Sequence, residues 1–242
     1  MRAVVVKNLS FAYQGVRTVL RDISFSVSAG EVLVIAGLSG SGKTTLCQLL
    51  CGIIPHAIKG EISGSISIMD IDPVASGLNQ TALKAGLVFQ DADSQIICTT
   101  VEDELAFGLE NLCVAPADIR LRVEGLLAEF GFAGMRAVNP ALLSGGQKKL
   151  LTIAAVLALA PPVLILDEPL SGLDGEGRAL VRAAIEEQRR QGRAVIVVEH
   201  DLQLVTFADT WLLLDQGAAV ACGAPADIMQ QTNLLKELRL LP

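Results

Sequence analysis

The sequence predicts an α/β fold built on a buried, mostly parallel sheet, with a helical segment set into the middle of the chain. Three observations carry this. Runs at 163–166, 194–198 and 210–215 are almost wholly apolar, as strands covered on both faces must be. Stretches with apolar residues three and four apart alternate with them. After Gln90 the strand signal stops, and only helical spacing continues until about Leu143.

The elements follow in order. The N-terminal third reads as strands at 3–7, 23–27 and 31–36, rich in β-branched residues and broken by Gly15 and by Ala29-Gly30. A glycine-rich turn at 37–42 leads into a helix at 43–50 that ends near Gly52. A strand alternates over 62–69, and a short apolar run follows at 87–89. Residues 91–142 hold helical patterns at 101–109 and 119–130 and no convincing strand. The α/β rhythm then returns: helix 147–159, strand 163–166, helix 176–190, strand 194–198, a helix beginning at Leu202, and strand 210–215. Pro225 suits the first turn of a last helix, and the chain stops at 234–242 in one short helix.

Composition narrows the class. The 242 residues are 51% hydrophobic and 19% charged, with net charge −7. That composition excludes intrinsic disorder and gives no basic coat for nucleic acid. The longest greasy run, 150–166, is short of the ~20 residues a membrane span needs, and Pro161-Pro162 cuts it in two. The N-terminus shows no signal-peptide pattern. The five cysteines match neither a zinc site nor a disulfide framework. Cys47 and Cys51, one helical turn apart, read as small apolar residues of a cytosolic core.

Three segments carry chemistry. Residues 37–44, Gly37-Leu38-Ser39-Gly40-Ser41-Gly42-Lys43-Thr44, fit the G-x-x-x-x-G-K-[ST] pattern between a β-rich run and a helix. The glycines let backbone N–H groups turn inward around an anion, Lys43 adds a charge for terminal phosphates, and the Thr44 hydroxyl can bind Mg²⁺. Val163 to Leu166 form an apolar strand that ends on Asp167-Glu168, where a parallel sheet collects its ligands. Asp167 can hold Mg²⁺ directly or through water, and Glu168 can orient and deprotonate a water that attacks the γ-phosphate. Leu143-Ser144-Gly145-Gly146-Gln147 opens the helix at 147–159. Ser144 and Gln147 make a capping box, but a cap does not need two glycines, so the segment also offers a second anion site at a helix N-terminus.

Taken together with Tyr13, Gln90, the Ser-Gly-Leu-Asp run at 171–174 and His200, these segments resemble the nucleotide-binding subunit of an ABC transporter, in order and over nearly the whole chain. The resemblance implies a P-loop NTPase of ABC-ATPase fold: a mostly parallel core with an N-terminal antiparallel β subdomain and a helical insertion. It implies one domain over 1–242, with 1–90 and 143–242 as the RecA-like core plus β subdomain and 91–142 as the helical subdomain. ATP and Mg²⁺ are the implied ligands. Tyr13 would stack on adenine, residues 37–44 and Thr45 would hold phosphates, Gln90 would contact Mg²⁺ or the lytic water, and His200 the γ-phosphate. Ser144, Gly145, Gly146 and Gln147 would serve the ATP of a second ATPase subunit, in a homodimer or heterodimer. Asp174 would pack across that dimer.

The stretch 90–95 and Thr99 to Asn111 resemble the ATPases of energy-coupling-factor (ECF) transporters, which import vitamins and transition-metal ions. Residues 53–56 and 60–64 lean toward the vitamin-type members. The resemblance implies a transmembrane coupling subunit and a substrate-binding membrane subunit as partners. It implies peripheral attachment at the cytoplasmic face of the membrane, and no nucleic acid. Ile96, Ile97, Leu105 and Phe107 are expected to offer a groove, and Asp91, Asp93, Glu102, Asp103 and Glu104 to meet a basic helix of the partner. The ATPase of a conventional ABC transporter is the alternative, and a soluble ABC ATPase a more distant one.

Overall fold

The computed structural model describes residues 1–15 and 18–240. They divide into two compact units: 1–87 with 162–168 and 187–242, and 88–161 with 169–186.

The first unit holds the sheet. Strand β1 (Arg2–Tyr13) pairs antiparallel with β2 (Thr18–Ser28) and, on its other edge, with β4 (Gly60–Ile68). Next come the buried strands β3 (Val32–Ala36), β6 (Val163–Asp167) and β7 (Ala194–Glu199), in which every residue is buried, as the unbroken apolar runs require. They run parallel with one another, and β3 also pairs in parallel with β8 (Thr210–Asp215). With β5 (Ala85–Val88) and β9 (Ala218–Gly223) the sheet has the order β4-β1-β2-β9-β8-β3-β7-β6-β5. The antiparallel N-terminal strands and the parallel core are thus one continuous sheet.

β1 is far longer than its apolar core at 3–7 because a bulge carries it past Asn8, which takes φ 47. The register moves from Lys7↔Ser65 to Ser10↔Ser63, so two residues face Gly64 alone. Gly64 has φ 89, and a Cβ there would lie 2.4 Å from the Asn8 carbonyl oxygen. Helix α1 (Lys43–Leu50) buries Leu46, Leu49 and Leu50 against the sheet. The short helices α2 (Ile53–His56) and α3 (Leu78–Ala82) complete this half of the unit.

The second unit is helical. Among the described residues 91–142 hold no strand. Helices α4 (Val101–Asn111), α5 (Pro116–Glu129) and α6 (Gly145–Ala158) bury Val101, Leu105, Leu109, Val123, Leu127, Leu151 and Ala154. Gly108 is needed where α4 passes the end of α6, since a Cβ there would lie 2.7 Å from Leu159 Cδ2. Helix α7 (Gly175–Arg190) starts in this unit and ends in the first.

Two expectations change, and one strand is added. The segment from Leu202 is only a 3₁₀ turn, Leu202–Val205, capped by Asp201, whose side chain accepts from the Gln203 N–H. Trp211 explains the short turn: fully buried on β8, it donates its ring N–H to the Val205 carbonyl at 3.1 Å. Strand β9, Ala-Ala-Val-Ala-Cys-Gly, is made of small residues with no alternation, and all of it is partly or fully exposed. Its hairpin turn at Gln216-Gly217 places both residues at positive φ, 46 and 83. The last helix is two short ones, α8 (Pro225–Met229), with Pro225 in its first turn, and α9 (Thr232–Glu237). Residues 241 and 242 of the expected terminal helix lie outside the described residues.

Candidate active site

In the first unit, β3 ends at Ala36 and the chain turns through 37–42 into α1. The turn is closely packed. A Cβ on Gly37 would lie 2.2 Å from the Leu214 carbonyl oxygen, and one on Gly42, at φ 99, would lie 2.5 Å from Leu20 Cδ2. Gly42 is the N-cap of α1 and offers no side chain to its first N–H groups, which leaves them to an external anion. Ser41 is buried, and its hydroxyl has no hydrogen-bond partner among the described residues. A buried hydroxyl in that condition suits a ligand oxygen.

Lys43 folds back over its own loop and donates to the carbonyls of Gly37 at 2.7 Å and Leu38 at 2.9 Å. Burial lowers its pKa from the ordinary lysine value, while the carboxylates of Glu168 and Asp167 act in the opposite direction. The next residue makes the link to β6: Thr44 Oγ1 donates to Asp167 Oδ2 at 2.8 Å. Asp167 is buried at the carboxyl end of β6, beside Val198 in the β7 register. Two hard oxygen donors held this close fit Mg²⁺, which takes few protein ligands and completes its shell from phosphate and water. Thr44 and Asp167 would hold it, and the ion would neutralise charge on the β- and γ-phosphates.

Glu168 follows at φ 51, with its N–H donated to the Val198 carbonyl at 2.9 Å. That bond ties the carboxylate's backbone to β7, the strand that delivers His200. His200 Nδ1 lies 3.6 Å from Glu168 Oε1, and the imidazole is the more exposed of the two side chains. Tyr13, at the end of β1, has its hydroxyl 3.0 Å from Thr45 Oγ1 and its ring edge-on to Phe11 with centroids 4.8 Å apart. The first unit therefore gathers Tyr13, residues 37–45, Asp167, Glu168 and His200. Behind the loop, burial pushes the Cys51 thiol up to about 12 and the Cys47 thiol well above its ordinary value, as fits inert core residues.

The second unit carries the other residues. Ser144 caps α6 with both halves of a capping box: its Oγ accepts from the Gln147 N–H at 3.2 Å, and Gln147 Oε1 accepts from the Ser144 N–H at 2.9 Å. A Cβ on Gly145 would meet nothing within 4 Å, so the helix start is open. Asp174 Oδ1 accepts from the Gly177 N–H at 2.8 Å, near the start of α7. Gln90 lies in this unit, two residues past β5, just before a 3₁₀ turn at Ala92–Ser94 that Asp91 caps.

All five of the expected docking acids are already engaged: Asp91 Oδ1 accepts from the Asp93 N–H at 3.1 Å, Glu102 pairs with Arg136 at 3.4 Å, and Asp103 Oδ2 accepts from the Thr100 hydroxyl at 2.6 Å. Glu104 is buried and accepts from the N–H groups of Ile97 and Cys98 at 2.9 and 2.8 Å. Asp93 pairs with Lys148 at 2.6 Å. Leu105 is buried in the helical core, whereas Ile97 and Phe107 are exposed. Sequence reasoning missed the contacts of Lys148 and Lys149, with Asp93 and with the Ser171 carbonyl; their only signal is the Lys-Lys pair directly after Gly-Gly-Gln.

A glycine-rich loop between a strand and a helix, with its lysine folded inward and its threonine bonded to a strand-end aspartate, defines a P-loop nucleotide-binding protein. More closely, the chain belongs to the ABC transporter family, whose profile matches residues 20–171, and it carries that family's ATPase domain. It is 36% identical to the energy-coupling factor transporter ATP-binding protein EcfA1 of Levilactobacillus brevis, over 98% of this chain and 84% of that one. It is 40% identical to an ABC transporter ATP-binding protein of Methanosarcina mazei, over 90% of this chain but 38% of the longer relative. A second long relative, from Caldanaerobacter subterraneus, is likewise spanned only over 43% of its length. Among solved structures, cbiO1 from Clostridium perfringens, part of the ABC transporter complex cbiONQ, superposes with TM-score 0.83 at 31% identity, covering 99% of this chain and 95% of that one. The ATP-binding subunit of an ABC transporter superposes with TM-score 0.85 at 27% identity, covering 98% of each chain.

Proposed function

We propose that the chain is the ATP-hydrolysing subunit of an ABC importer of the ECF type. In this reading two such subunits, identical or not, close around two ATPs and drive uptake of a vitamin or metal ion through membrane partners. The observation that carries the ATPase reading is the chain of contacts from Thr44 Oγ1 to Asp167, then along the backbone to Glu168 and on to His200. Lys43 and the loop N–H groups bind the phosphates, Thr44 and Asp167 hold Mg²⁺, Glu168 accepts the proton of the attacking water, and His200 contacts the γ-phosphate. Gln90 is assigned the contact with Mg²⁺ or the lytic water that the resemblance implies. Tyr13 stacks on adenine, and its bond to Thr45 fixes the ring beside α1.

The likeness to the EcfA1 protein supports the ECF branch. No helix among the described residues is long and apolar enough to cross a membrane; the likeness to cbiO1, part of a transporter complex, supports peripheral attachment to separate membrane subunits at the cytoplasmic face. The open N-terminus of α6 supports a second nucleotide contact offered by Ser144 to Gln147, and hence a dimer. The test is uptake by vesicles that hold this chain with the membrane subunits encoded beside it. ATP-driven accumulation of a vitamin or metal ion, abolished by Glu168→Gln, is expected. ATPase activity with export, or with no membrane partner, would redirect the assignment to a conventional or a soluble ABC ATPase.

A further inference from the structure

We infer that Lys148 is a positioning residue: it ties the turn that follows Gln90 to the Ser-Gly-Gly-Gln helix start, so that the two move as one piece. The geometry lies wholly within the second unit. Lys148 sits in the first turns of α6, directly after Gln147, and its ammonium pairs with Asp93 Oδ1 at 2.6 Å, across 55 positions of sequence. The lysine side chain is only 17% exposed, although Asp93 is open at 71%. A lysine held down along a helix to reach one exposed carboxylate is a placed contact rather than a solvated surface charge.

Asp93 is itself fixed. Its N–H is donated to Asp91 Oδ1 at 3.1 Å, and Ser94 Oγ donates to the Asp91 carbonyl at 2.7 Å, which together close the 3₁₀ turn Ala92–Ser94. One residue past the turn, Gln95 Oε1 accepts from the Phe89 N–H at 3.0 Å, so the segment 89–95 is a closed loop with Gln90 inside it. A pull on Gln90 therefore reaches Asp93 through a stiff turn, and Lys148 passes it to α6. The neighbouring Lys149 donates to the Ser171 carbonyl at 2.8 Å, which anchors the same helix start to the segment that leads to Asp174. Two consecutive lysines thus hold α6 to two loops at once. One ion pair and one hydrogen bond therefore join the helix start to both loops, and whether they couple them is what the Lys148 variants measure.

This inference rests on the ATPase reading for its consequence but not for its geometry, and two measurements separate them. The first is amide hydrogen exchange on the full chain without nucleotide. Lys148→Glu should speed exchange in 91–95 by about two- to fivefold, the range expected when an exposed ion pair is lost. The double variant Asp93→Lys with Lys148→Glu should restore it. The second is steady-state ATPase activity. Each single variant should lower kcat with little change in KM for ATP, and the double variant and Lys148→Arg should recover it. Unchanged exchange in Lys148→Glu, or a double variant no better than the worse single, would overturn the tether. Altered exchange in a chain whose parent hydrolyses no ATP would leave the tether standing and refute the ATPase reading.

Discussion

Replacing Glu168 with Gln changes one oxygen for an NH₂ and little else, and the structure explains why the fold should not notice. The residue's unusual φ of 51 is set by the strand end and by its N–H bond to Val198, which a glutamine makes equally well. The contact with His200 Nδ1 is 3.6 Å, too long to count as a hydrogen bond, so its alteration costs little stability. The loss falls on the proton. A positioned general base contributes about 10²–10⁴ in rate, or about 2.7–5.4 kcal/mol of barrier at 1.36 kcal/mol per tenfold. In the proposed reading phosphate binding rests on the 37–44 loop and Lys43, whose bonds to the Gly37 and Leu38 carbonyls the substitution leaves in place. Hydrolysis should therefore fall by about 10²–10⁴ with ATP affinity retained. ATP-bound dimer should accumulate, because hydrolysis is what releases it. Single-turnover phosphate release, an equilibrium nucleotide titration and size-exclusion chromatography with light scattering would read these three quantities. Parental hydrolysis in Glu168→Gln would refute the general-base assignment; a large loss of ATP binding would show that Glu168 holds nucleotide rather than water.

Lys43→Ala should weaken ATP binding while Ser144→Arg leaves it intact but blocks dimer closure, both without turnover; equal loss of affinity in an equilibrium titration would contradict a nucleotide shared between subunits. ATP affinity should fall on the alkaline side, beginning below the pH at which an ordinary lysine titrates: burial lowers the pKa of Lys43 in the free protein, the phosphates raise it on binding, and binding therefore takes up a proton. Lys43→Arg should flatten that alkaline limb in titrations across pH, and an unchanged limb would assign it to another group. Gly64→Ala should destabilise the fold by about 2–4 kcal/mol, since it joins a left-handed residue to a backbone clash; a denaturant midpoint equal to the parent's would mean that the bulge at Asn8 relaxes freely.

What the sequence revealed was local. Residues 37–50 read correctly because glycines, lysine and helix follow one another without a gap, so chain order and spatial order coincide. The buried strands β6 and β7 read almost to the residue because two covered faces leave no polar position to confuse the pattern. The signal failed wherever a long-range partner decides the conformation. β1 runs to Tyr13 only because Gly64, in another strand, accepts a bulge. β9 is a strand because the Gln216-Gly217 turn folds it onto β8, while its own residues are partly exposed and weakly patterned. The acids after Gln90 illustrate the same limit in the site. By sequence Asp93 and Glu104 are equivalent surface charges, yet one is bound to a lysine on α6 and the other is buried, accepting backbone N–H groups.

Ser144 shows why a structural and a functional reading of one residue need not compete. Its Oγ accepts one hydrogen bond, from Gln147, and its N–H is satisfied by the Gln147 side chain. The box thereby fixes the first turn of α6 and removes Gln147 as a rotating group. The next two residues have no side chain, and nothing stands within 4 Å of where a Cβ on Gly145 would be. Their N–H groups are among the first of the helix, which no intrahelical carbonyl can satisfy. The Ser hydroxyl proton is also left to give. A cap made with any other pair of residues at 145 and 146 would hold the helix as well, but it would cover this donor surface with side chains. The cap alone does not need the two glycines: Gly145 leaves this donor surface open, as the proposed second anion contact requires, while at Gly146 a Cβ would also lie 3.4 Å from Leu173 Cδ2.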